Sequence, residues 1–168
     1  MTARAEQVLG WRVWRLQDGS LHSLVVDFRW EPGENRAVCL ASGRPACPEP
    51  PGAHCNCGFW AAWSQRQALT RTCATIEPPW QVMGLVAATG GLVSHGAEGF
   101  RAERVELRCL FTDRPWSWWA GVERGPGREA LRAVAARYAV PLLSLENANL
   151  LSTPFGLPAA PGVRRMAG

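Results

Sequence analysis

Four of the six cysteines, Cys39, Cys47, Cys55 and Cys57, fall in one short stretch with the spacing C-x7-C-x7-C-x-C, followed by Gly58. From Ser42 to Gly58 this stretch is rich in Pro, Gly and Cys, lacks hydrophobic periodicity, and holds too few apolar residues to pack alone. Something other than burial has to order it, because fixing a backbone costs about 1–2 kcal/mol per residue. Zinc suits the set: it accepts four thiolates in a tetrahedron at about 2.3 Å without redox chemistry. Metal binding would then supply the folding free energy that the segment lacks. Tight turns at Pro and Gly let the thiols converge. His54 competes with Cys47 for the fourth position. Four protein ligands make a closed site, so the expectation is structural zinc and not a catalytic ion. Two other readings stay open, ordinary reduced thiols in a loop and a redox or iron–sulfur role.

The remaining thiols stand apart. Cys109 falls in a strand-like run and reads as a small buried apolar residue. Cys73 would need a base such as His22 or His95 to act as a nucleophile, and no spacing brings them together.

The 168-residue chain is long enough for one domain with a core of its own. Strand-like patterning opens it at 9–16, and Asp18-Gly19 is a hairpin signal. A returning strand is expected over 21–28 and a third over 36–41. A helix is expected over 59–70, where Phe59, Trp63 and Gln67 keep helical spacing. Residues 81–88 and 92–95 read as strand interrupted at Gly90-Gly91. Residues 100–111 are the longest strand candidate, although neither alternating face is cleanly apolar. The clearest helix covers 128–139, with Leu131, Val134, Ala135 and Tyr138 on one stripe. Val140-Pro141 stops it, and an edge strand follows at 142–145. The expected fold class is α+β: an antiparallel, barrel-like sheet of about six strands with two helices and a Cys-rich zinc-binding insertion at 39–58. The globular domain is expected over 8–148, with a mobile tail over 151–168.

All eighteen basic residues are Arg, and Ala, Gly and Pro are abundant, a bias of GC-rich codons that points to a bacterial source. The net charge of +4 is spread along the chain. The nine Trp residues, at 11, 14, 30, 60, 63, 80, 116, 118 and 119, either fill the core or line a groove, since each indole N–H seeks a partner. No run of 18 apolar residues occurs, and Met1–Glu6 lacks the apolar core of a signal peptide, so a cytoplasmic protein without a membrane span is expected. No phosphate-binding loop, dinucleotide fingerprint, nucleophile elbow or HExxH motif is present.

Two segments carry a resemblance. Cys55-Asn56-Cys57-Gly58-Phe59-Trp60-Ala61, after Cys39, is similar to a C-x-C-G-(I/F)-(Y/W)-A signature, and Gly99-Phe100-Arg101-Ala102-Glu103 to a G-(Y/F)-R-A-E strand. With the Trp-Arg-Val-Trp-Arg-Leu strand they resemble a family of small actinobacterial proteins, over about residues 10–145. The resemblance implies architecture and a metal site, with Cys47 standing where relatives carry a His ligand. It implies no activity.

The leading expectation is a zinc-stabilised binding or adaptor module that contacts a protein or a nucleic acid through Trp and Arg. Its candidate contact residues are Trp11, Trp14, His95, Arg101, Glu103 and Arg104. A nucleic-acid partner requires Arg12, Arg15, Arg101, Arg104 and Arg108 to share a face with stacking indoles. Two alternatives come with it. One is a small-molecule-binding or enzymatic barrel whose Trp-lined pocket contains His22, His95, Glu103 or Arg101. The other is an accessory protein acting as a homodimer.

Overall fold

A computed structural model of the protein describes residues 7–40, 43, 45–73, 81–113 and 126–146. Trp80, Trp116, Trp118, Trp119 and the expected tail lie outside the described residues. The elements run β1 (Val8–Gln17), β2 (Ser20–His22), β3 (Glu34–Arg36), β4 (Phe59–Ala62), α1 (Gln65–Cys73), β5 (Gln81–His95), β6 (Gly99–Phe111), α2 (Arg128–Arg137) and β7 (Leu142–Leu143). The fold is α+β, a mixed sheet of seven strands with two helices.

The β1–β2 hairpin turns at Asp18-Gly19, where φ is 49° and 67°, the pair of positive values that a two-residue turn matching strand twist needs. β5 is the centre of the sheet, pairing with β1 along 81–88 and with β6 along most of its length. β4 pairs with β6 over Phe59–Ala62 and meets β1 at Trp11↔Ala62. The pairings β1–β4–β6–β5 therefore close a ring of hydrogen bonds. All strand pairs are antiparallel except β7, which lies parallel to β6 at Leu110↔Leu142 and Phe111↔Leu143.

Several expected boundaries move. Phe59–Ala62 is a strand and not the start of a helix, because its backbone completes the edge of β6; α1 begins only at Gln65, after Ser64, whose Oγ accepts from the N–H of Gln67 at 3.3 Å. The second strand ends at His22, and a tight bend follows in which the N–H of Ser23 donates to the carbonyl of Phe28 at 2.9 Å. The third covers Glu34–Arg36 in place of 36–41, and the last Leu142–Leu143 in place of 142–145. Gly90-Gly91 does not end its strand; the chain bulges there and pairing resumes at Leu92↔Ala102.

The apolar side chains divide into two clusters. One joins Trp14, Trp30, Phe100, Val86, Val105 and Leu110 to Leu131, Val134, Ala135 and Tyr138 from α2 and its end. The other joins Val13, Met83, Leu85, Cys109 and Phe111 to Ala68 and Leu69 of α1. The Tyr138 hydroxyl accepts from the N–H of Leu21 at 2.9 Å and donates to the carbonyl of Trp30 at 2.7 Å, tying α2 to the β2–β3 region. Trp14 and Trp30 meet edge to face at 5.2 Å in this core, whereas Trp11, Trp60 and Trp63 are half-buried. No helix among the described residues is long and apolar enough to cross a membrane.

Candidate metal centre

The Cys-bearing insertion starts and ends on the same edge of β6. β3 pairs with Arg104–Glu106, and the N–H of Ala37 donates to the carbonyl of Glu103 at 2.7 Å. The chain then leaves the sheet and returns at Phe59, which pairs with Ala102. The two stems of the excursion are thus fixed next to each other. Cys39 lies just beyond the first stem and Cys57 just before the second, so convergence of their thiols is a consequence of strand pairing. Among the described residues between Arg36 and Phe59 there is no helix or strand.

Within this insertion the four sulfurs of Cys39, Cys47, Cys55 and Cys57 all lie within 4.8 Å of one another. The Sγ atoms of Cys39 and Cys55 are 3.6 Å apart. A tetrahedron of sulfurs at about 2.3 Å from one ion has edges of about 3.8 Å, so the spacing suits a single four-thiolate metal ion. It is far from the about 2.0 Å of a disulfide. Cys55 is buried and the other three are half-buried. His54 is exposed and stands outside this group; Cys47 takes the fourth position.

Two glycines permit the tight folding. A Cβ at Gly52 would lie 2.7 Å from the Cys47 sulfur. Gly58 has φ +103°, and a Cβ there would meet Pro51 Cβ at 2.7 Å and the Ala102 carbonyl at 3.2 Å. Backbone N–H groups are directed at sulfur: that of Gly52 donates to Cys57 Sγ at 3.3 Å. The Cys55 thiol is lowered to about 6, first by the backbone N–H of Cys57 and then by the Cys47 thiol. Cys47 is raised to about 12, chiefly through its hydrogen bond with Cys55.

Arg101 of β6 lies beneath the insertion and is only 5% exposed. Its Nη1 donates to the carbonyls of Gly52 at 3.3 Å and Cys57 at 2.7 Å, and to that of Cys55. Its Nε donates to His95 Nε2 at 2.7 Å. The His95 ring lies 4.9 Å from that of Trp60. Sequence reasoning singled out Arg101 and His95 as contact residues; the structure brings them together, with Arg101 directed at the cysteine segment.

The other candidates are scattered. Trp14 is fully buried, and Trp11 stacks on Phe111 at 5.3 Å. Glu103 accepts from the N–H of Gly91 at 2.9 Å, which with Arg104 and Arg36 nearby holds its carboxyl below the usual range. Arg104 lies within 4.0 Å of Glu34 and 3.8 Å of Glu103, and Arg108 within 3.3 Å of Glu106. Arg12 sits over the Trp30 ring at 4.9 Å and donates to Ser23 Oγ at 3.0 Å. Cys109 is buried in the core, which raises its thiol to about 12. A cavity of about 330 Å³ opens at the insertion, lined by Pro45, Glu49, His54 and the Cys47 and Cys55 side, with no indole in its wall. None of His22, His95, Glu103 and Arg101 lines that cavity; Arg101 and His95 meet each other beside Trp60.

No family model, curated protein or solved structure matches the chain.

Proposed function

We propose that the chain is a zinc-stabilised binding module of the bacterial cytoplasm whose partner is a protein. The observation that carries this reading is the group of four thiols within 4.8 Å of one another on a segment without helix or strand. Four thiolates select zinc or iron over harder ions, and a closed site with no open position fits a structural role.

The choice of a protein partner rests on how the arginines are used. Arg101 is turned inward, Arg104 and Arg108 are paired with carboxylates, and Arg12 lies over a buried indole. These four side chains are engaged by groups of the protein itself, which speaks against the free Arg and indole face that single-stranded nucleic acid requires. Beside the cysteines, Val38 and Leu40 flank Cys39 and are 63% and 60% exposed. They place apolar contact area where the metal would hold the backbone still.

Elemental analysis of the purified protein tests the metal, with one zinc per chain expected and a metal-free protein contradicting it. Anisotropy titration with labelled oligo-dT at low salt tests the partner class. Micromolar binding that collapses with added salt would move the reading to nucleic acid.

A further inference from the structure

The buried cation beneath the cysteine segment lacks a carboxylate. Among the described residues, Arg101 pairs with no Asp or Glu, although it is 5% exposed and its guanidinium cannot lose its charge. A buried charge without a counter-charge is strongly destabilising. Its Nη1 faces the carbonyls of Gly52, Cys55 and Cys57, two of which belong to thiol-bearing residues. An ion of charge 2+ held by four thiolates carries a net charge of 2−. The missing counter-charge for Arg101 is therefore the centre itself, one backbone away.

We propose that Arg101 is the positioning residue and counter-cation of a tetrathiolate metal centre, with His95 orienting it, so that the metal enters a cradle already assembled on β6. This rests on the reading of the four thiols as a metal site. The geometry supports each part. Nη1 gathers three carbonyls from both sides of Cys55, which fixes the turn that brings Cys55 and Cys57 to one point. Nε is occupied by His95 Nε2 at 2.7 Å, while Nη1 serves the insertion. The His95 ring is backed by Trp60, and the turn after it is held by Trp63 Nε1 donating to the Gly96 carbonyl at 2.9 Å and by Gln67 donating to that of Ala97. The clasp thus hangs from the rigid end of the β5–β6 hairpin. Partners that orient ligands in this way typically change metal affinity by about 10–100-fold when removed.

The test is Co²⁺ titration of the full chain, read by the thiolate-to-metal absorption, followed by Zn²⁺ competition with a chelator. Arg101→Gln should keep the tetrathiolate spectrum and weaken affinity by about 10–100-fold. Arg101→Lys, which keeps the charge and loses the fork, should recover part of that loss. His95→Leu should weaken affinity by several-fold, and His95→Gln, which keeps an acceptor, should restore most of it. Arg104→Gln, a surface change on the same strand, should leave affinity unaltered. Equal affinity of Arg101→Gln and the parent overturns the clasp while leaving the metal centre intact. A parent chain that gives no thiolate spectrum overturns the metal reading and the clasp together. If circular dichroism shows Arg101→Gln unfolded, the His95 pair decides: a Leu variant matching the Gln variant overturns the proposal.

Discussion

Along β5, residues 81–88 are all buried, whereas along residues 45–58 only Cys55 is. The two regions lie against the same strand, β6, yet different physics keeps each in place. β5 places Val82 and Val86 in one apolar cluster and Met83 and Leu85 in the other. Each such side chain contributes about 1.5–3 kcal/mol by leaving water. The cysteine insertion has no comparable burial. Without metal it has paired stems, the hydrogen bonds of Arg101 to its carbonyls and the contact between the Cys39 and Cys55 sulfurs. With metal it gains a single term of about 10–16 kcal/mol, the apparent scale for structural zinc sites. The sheet is thus ordered by burial, and on the proposed reading the order of the insertion depends on metal. Loss of metal should loosen the insertion and spare the sheet.

Substitutions can break that contrast, and their expected effects on global stability decrease in the following order. Phe100→Ala empties a position 1% exposed at the heart of the larger cluster and should cost about 3–5 kcal/mol in a denaturant melt. The loss should be the same with and without chelator. Tyr138→Phe leaves the Leu21 N–H and the Trp30 carbonyl without the hydroxyl that joins them, and should cost about 1–3 kcal/mol in the same assay.

Alkaline pH should act on the sheet through Cys109. Its thiol titrates near 9.0 when unfolded and is raised to about 12 in the core by desolvation. Only the unfolded chain ionises it between those values. The stabilisation is therefore complete below pH 9 and is lost as pH rises toward 12. At pH 10 the loss should be about 1 kcal/mol relative to a Cys109→Ala variant measured in parallel.

The smallest effect on the sheet should come from the insertion itself. Cys55→Ser should change the stability of the chelator-treated protein by under about 1 kcal/mol, because little apolar area depends on it. The same substitution should abolish tight metal binding, so a melt that responds to chelator in the parent should stop responding in the variant.

The sequence alone carried the scaffold only where local chemistry and packing agree. Asp18-Gly19 marked its hairpin, and the stripe Leu131, Val134, Ala135 and Tyr138 marked the face of α2, since both signals are local. β6 resisted a simple alternating pattern for a physical reason. Phe100 and Ala102 enter the larger cluster, then Val105 and Leu107, then Leu110. The parity of the strand flips twice, at the irregularity opposite Gly90-Gly91 and again between Leu107 and Cys109. Opposite Gly90-Gly91 the extra residue lies on β5, whereas between Leu107 and Cys109 it lies on β6; a fixed period of two cannot show either shift. The four thiols were legible because a Pro-rich coil with too little apolar content to pack needs a cross-link, and clustered thiols can supply one through a metal ion. Phe59–Ala62 was not, because its helical spacing is overridden by pairing with a strand that comes much later in the chain. The role of Arg101 was out of reach for a related reason: its partners come from an insertion whose return path is set by β6.

Hydrogen exchange with and without chelator tests the central contrast most directly. Amides of residues 45–58 should lose protection when metal is withdrawn, while those of 82–88 and 105–110 keep theirs, and readdition of one equivalent of zinc should restore the first set. Exchange that is indifferent to chelator across 45–58, or that rises together in the insertion and in β5 and β6, would contradict the account.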